Sequence, residues 1–152
     1  MTITPDTFSR DANSVPITTL GITATKSITY VAGTTGATGA TTLFTVTGCV
    51  AVRVFGVCST LLEETGATAT LEIGIAGNTA ALIAQTTGTA IDANEVWIDT
   101  APATIEALPA FSIIGAGQDI IQTIAGNTVS AGVLTYYCVW APISSDGNVV
   151  AA

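Results

Sequence analysis

The chain has 152 residues, 49% hydrophobic and only 9% charged, with three basic side chains against eleven acidic ones and a formal net charge of −8. That length suits one domain that buries a core without help from disulfides or metals, and the charged fraction lies far below the roughly 25% of ordinary globular proteins. The three cations, Arg10, Lys26 and Arg53, are scattered and assemble no basic patch, so the balance excludes binding to nucleic-acid phosphates and anionic lipid.

The longest apolar stretch, around 50–57, is interrupted by Arg53 and Gly56, well short of the roughly 18 residues a spanning helix needs. The opening MTITPDTFSRDANS lacks the basic and apolar regions of a secretory signal, so synthesis and assembly in a cytoplasm are expected. The surface is built largely from Thr, Ala, Ser, Asn and Gly. Such a surface gives up its water readily and suits contact between proteins. The competing reading is an ordinary soluble monomer with a neutral polar exterior.

In chain order, residues 1–24 hold two of the five prolines and little alternation, and read as an extended N-terminal arm, leaving 25–152 as a single domain. Helix-forming residues are too few for long amphipathic helices, whereas β-branched residues recur in short runs between Gly, Asn, Asp and Pro. These runs predict strands over 26–32, 42–47, 49–62, 68–75, 80–85, 95–99, 111–114, 119–124 and 130–142. The segment GTTGATGATT at 33–42 reads as a flexible loop, and the tail SSDGNVVAA as an Asp146-Gly147 turn followed by a short apolar end that docks on something. The fold class expected is all-β: an antiparallel β-sandwich, jelly-roll-like. The motif IAGNT occurs at 75–79 and again at 124–128, and Gly-Asn between apolar runs predicts a tight hairpin at each.

Two of the predicted strands are apolar on both faces. Over 49–62, Val50, Val52 and Val54 alternate with Ala51, Phe55 and Val57; over 130–142, Leu134, Tyr136, Cys138 and Trp140 alternate with Val133, Tyr137 and Val139. Successive side chains of a strand point to opposite faces, and one sandwich has only one core to fill. The second apolar face predicts a partner, and with it a homo-oligomer.

Reactive chemistry is sparse. The chain has no histidine, which removes the commonest general base, the Ser-His and Cys-His dyads and most zinc sites. Lys26 is the single lysine and lies in a Thr-rich strand, and the glycine-rich loop lacks the lysine and following helix of a phosphate cradle. Paired carboxylates are the remaining enzymatic option. Glu63 and Glu64 are adjacent and read as solvated at a strand end, while Asp92, Glu95 and Asp99 cluster around Trp97 in IDANEVWID. Three carboxylates suggest calcium, and a tryptophan among acids suggests a sugar cleft, but the spacing matches no calcium loop and Asp92 with Asn94 makes a turn. Cys49, Cys58 and Cys138 form no disulfide framework, being odd in number and set in apolar runs, although one pair remains free to bond. No catalytic, cofactor-binding or metal-ligating residue is assigned, and the chain reads as a non-enzymatic structural protein with no cofactor.

The segments TLFTVTGCVAVRVFGVCST, LEIGIAGNTAALIAQTTGTAIDANEVWID and LTYYCVWAPISSDGNVVAA, in this order, resemble a small protein encoded among the head genes of tailed bacteriophages. The resemblance runs over roughly residues 40–152, and the terminal block is its most specific part. Such proteins are taken to be capsid decoration (cement) proteins. The resemblance implies a virion protein bound to the outer surface of an icosahedral shell, as a trimer at three-fold positions, with the major capsid protein as partner and no membrane or nucleic acid. It carries no catalytic residues. Other virion roles implied alongside it are a head-fibre base, a tail-tube part or a receptor- or carbohydrate-binding β-module.

Overall fold

The computed structural model describes residues 21–66, 68–115 and 117–152. The described strands are β1 (Ile22–Thr29), β2 (Gly39–Thr47), β3 (Val50–Glu64), β4 (Thr70–Ile75), β5 (Asn78–Thr87), β6 (Val96–Trp97), β7 (Ser112–Ile114), β8 (Ile120–Ala125), β9 (Val129–Pro142) and β10 (Asn148–Ala151). They form two five-stranded sheets. The first runs β1-β9-β3-β6, with β7 also paired to β3; the second runs β10-β2-β8-β4-β5. All these pairings are antiparallel, so the chain is an all-β sandwich as its composition predicts. The expected arm falls, up to residue 20, outside the described residues, and Ile22–Ala24 belong to β1.

The chain changes sheet at nearly every connection, and this accounts for the two IAGNT copies. At 75–79 the motif closes the β4–β5 hairpin, with Ile75 paired to Asn78. At 124–128 it joins β8 in the second sheet to β9 in the first, so the expected second hairpin is not formed. There Gly126 takes φ +76, and a Cβ on it would lie 2.2 Å from the Thr68 carbonyl oxygen, so only glycine fits the crossing.

The loop expected at 33–42 is shorter and more tightly held than its composition suggests. Its second half is β2, and its first half is tied by Thr35, whose Oγ1 accepts from the Val31 N–H at 2.9 Å and donates to the Thr29 carbonyl at 2.7 Å. Gly36 is buried, and its carbonyl accepts from the Val129 N–H at 2.9 Å. The apolar tail docks as expected: β10 pairs with β2, and Lys26 reaches across from β1 to donate to the Ala152 carbonyl.

Between the sheets, Val50, Val52, Val54 and Cys58 of β3 and Leu134, Tyr136, Cys138 and Trp140 of β9 face Phe44, Val46, Leu71, Ile73, Ile83, Ile120 and Ile124 of the second sheet. Two polar links cross this core. Gln122 on β8 is fully buried, and its Oε1 accepts hydrogen bonds from Tyr136 on β9 and, at 2.6 Å, from Tyr30, while the two phenols lie 2.7 Å apart. Trp97 of β6 donates from Nε1 to Thr86 Oγ1 of β5 at 2.9 Å, and the single Thr86 hydroxyl proton is shared between the Ala84 and Asp99 carbonyls, at 3.0 and 3.2 Å. Gly56 lies opposite Trp97 in the register, and the indole packs against it.

Burial pushes the Tyr30 and Tyr136 hydroxyls well above the usual phenol range and the Cys138 thiol up to about 12. The folded chain therefore keeps protons that the unfolded chain releases from about pH 8.5 upward. Stability contributed by these groups is complete below that pH and is lost as pH rises towards 12. The urea midpoint should accordingly hold steady to about pH 8 and then fall, with a shallower alkaline slope in Tyr30→Phe. Thr86→Val keeps the side-chain shape but strands the Trp97 N–H without an acceptor, and urea titration should show a loss of about 1–3 kcal/mol.

Candidate interaction surface

The outer face of the first sheet is the unusual one. In β3 and β9 the inward positions are buried, whereas the outward ones, Ala51, Arg53, Phe55 and Val57 together with Val133, Thr135 and Tyr137, are half-buried. The register sets Arg53 opposite Val139, Phe55 opposite Tyr137 and Val57 opposite Thr135. Phe55 and Tyr137 stack with ring centroids 5.2 Å apart and planes inclined by 17°. Beyond them β1 contributes Thr23, Thr25, Ser27 and Thr29, all exposed. Apolar side chains thus occupy the middle of an outer face, with a threonine flank beside them.

The other margin carries more apolar surface. β6 and β7 pair with different parts of β3, at Gly56–Val57 and at Val50–Val52, and residues 98–111 loop out between them. A bridge between Val96 and Ala103 pins the start of this loop, and the Arg53 guanidinium lies 3.7 Å from the centroid of the Phe111 ring near its end. Held in this way, the segment presents Ile105 at 88% exposure, with Leu108, Phe111 and Ile113 also exposed. The Arg53 Nε is buried and has no hydrogen-bond partner. A cation–π contact holds the guanidinium over the ring.

The carboxylates weighed on sequence are used locally. Glu64 is half-buried within β3 rather than solvated at a turn, because its Oε2 accepts from the Ala69 N–H at 2.9 Å, while Glu63 faces solvent. The Glu95 carboxylate accepts from the Asp92 N–H at 3.0 Å, Asn94 adopts φ 70 between them, and Asp99 accepts from the Ala101 N–H at 2.7 Å. Trp97 is fully buried and offers no ring face to a sugar. Among the described residues no three His, Cys, Asp or Glu side chains converge on a possible metal position, and no helix is long and apolar enough to cross a membrane.

Sequence reasoning found the outer face of β3 and β9 through its double alternation. It missed the 98–111 platform, where no period marks which side chains face out, and the Gln122–Tyr30–Tyr136 link, whose members lie far apart in the chain. All three cysteines are free. Burial raises the Cys58 and Cys138 thiols, which keeps them protonated and weakly nucleophilic. A disulfide-exchange reagent at pH 8 should leave Cys58 and Cys138 unmodified in the folded protein, and all three cysteines should react once guanidinium is added.

No family model matches the chain, and no curated relative matches it. The fold is similar to that of a solved chain described as "Cyanophage Pam1 capsid asymmetric unit", with a TM-score of 0.51 over 79% of this chain and 84% of that one. The two are 16% identical, and the likeness is one of fold.

Proposed function

We propose that this chain is a non-enzymatic structural virion protein, a decoration (cement) protein that binds the outer surface of a tailed-phage capsid as a homo-trimer and stabilises it through subunit contacts. The observation that carries the reading is the apolar outer face of β3 and β9 together with the exposed aliphatics of the 98–111 platform. Two sheets with one shared core leave that surface without an internal function. Large exposed apolar patches on small proteins mark interaction sites.

Three further features support it. The fold is shared with a chain whose description places it in a phage capsid. The net charge of −8 would oppose packaged DNA, which favours the outside of a shell over its lining. The carboxylates cap turns rather than converge, so the polar groups serve the fold. Partners under this reading are the major capsid protein and copies of the chain itself.

The test is to add the purified protein to heads assembled without it. Binding should saturate at a fixed stoichiometry per capsid protein and raise the temperature at which the heads release DNA. Heads that take up none of the protein, or take it up with no change in thermal release, would overturn the reading.

A further inference from the structure

Ile105 is the most exposed large apolar side chain among the described residues, at 88%. It is nonetheless on a braced segment. The Val96–Ala103 bridge lies two residues before it, with N···O distances of 2.8 and 3.3 Å, and the Arg53–Phe111 stack lies six residues after it. A braced, fully presented isoleucine loses little conformational freedom on docking.

At the same margin of the sandwich a cleft of about 130 Å³ opens between the β4–β5 hairpin and β7, lined by Ile75, Ala81, Leu82, Ile113, Ile114 and Gln118 among others. Its lining holds no charged side chain. Ile113, 71% exposed, forms part of its lip. The cleft has room for one branched aliphatic side chain, and Ile105 of the same chain, being solvent-exposed, does not fill it.

Charge favours a second copy as the occupant. Two copies of a chain with net charge −8 repel wherever their acids meet, so self-association needs surface without charge. The sequence has no charged residue between Ile73 and Ile91, and none between Ala107 and Gln118. These are the two stretches that build the cleft. In the 98–111 platform itself the charged residues are Asp99, whose carboxylate accepts from the Ala101 N–H, and Glu106 beside the knob. Glu106 would thus approach a cleft whose own lining carries no charge, so the contact sets no acid of the knob against an acid of the cleft.

We propose that Ile105 of one chain seats in the uncharged cleft between the β4–β5 hairpin and β7 of a second copy. Knob and cleft are different surfaces of one chain, so the contact is head-to-tail, and such contacts generate closed rings when the rotation between subunits closes. This inference rests on the oligomer put forward above and names the surface that forms it.

The experiment measures mass in solution by light scattering and native mass spectrometry. Wild type should be an oligomer. Ile105→Asp, on an exposed side chain, should keep the circular dichroism spectrum and melting temperature while weakening each contact about a hundredfold or more. Ala81→Glu, which sets an acid in the cleft from an exposed position and opposite Glu106 of the partner subunit, should do the same from the other side. Chains carrying Ile105→Cys mixed with chains carrying Ala81→Cys should form a disulfide between chains that neither variant forms alone. A monomeric wild type, an oligomer that survives both Ile105→Asp and Ala81→Glu, or a failure of the mixed pair to cross-link would overturn the contact. The shell reading is scored separately. An oligomer split by Ile105→Asp upholds the contact even if wild type binds no heads, and head binding by an oligomer indifferent to the substitution upholds the shell and overturns the contact.

Discussion

The β3–β9 ladder is the element on which the rest of the architecture depends. The register runs from Val50 opposite Pro142 to Glu64 opposite Val129, the longest pairing among the described residues, and it places both strands inside their sheet between β1 and the short β6 and β7. Alternation then commits every second side chain of each strand to the core and every other one to the outside. Because the sequence makes both sets apolar, satisfying the core creates the outer face. A one-residue slip would exchange Tyr136 for Tyr137 and Cys138 for Val139 without a large change in hydrophobicity. Register must therefore be fixed by something more specific than greasiness.

The polar links across the core supply that specificity. Gln122 accepts from both Tyr30 and Tyr136, which come from opposite ends of the chain's order and from β9 itself. Trp97 needs Thr86 on the facing sheet, and its indole fits beside Gly56. Slipping β9 by one residue would carry the Tyr136 hydroxyl to the wrong face and leave a buried amide oxygen short of a donor. Buried polar groups are costly when unpaired, so these few contacts discriminate between registers that hydrophobic burial alone would rank almost equally.

Much of this was legible in the sequence, for reasons that have limits. Nine of the ten described strands lie where β-branched runs predicted them, and the two-faced character of β3 and β9 follows directly from period-two alternation. β10 was visible only as an apolar tail, since four residues are too short to show a period. The repeated IAGNT shows the boundary of local reasoning. Identical residues make a hairpin at 75–79 and a crossover at 124–128, because the partner of the following strand is chosen by tertiary pairing and not by the turn. Glu64 is similar: nothing nearby in the chain announces that the Ala69 N–H will fold back onto its carboxylate. The 98–111 platform has neither helical nor strand period, so the exposure of Ile105 had no sequence signature.

The distribution of charge joins the fold to its use. In a chain so poor in charged side chains, each acid not tied into a turn is a choice about which surface stays in water. Glu63 is exposed at the far end of β3, and Asp92 is exposed at the turn beside it, whose Asn94 N–H donates to the Cys58 carbonyl. Arg53, by contrast, lies in the middle of the apolar face, stacked on Phe111 with its Nε unpaired. A guanidinium is weakly hydrated and tolerates desolvation better than an ammonium. It can therefore sit beneath a docked surface. An acid in that position would add to the repulsion between like-charged subunits. One cation in an otherwise neutral field opposes it, and the association of an acidic chain with copies of itself becomes electrostatically permissible on this side of the sandwich and unfavourable where its acids cluster.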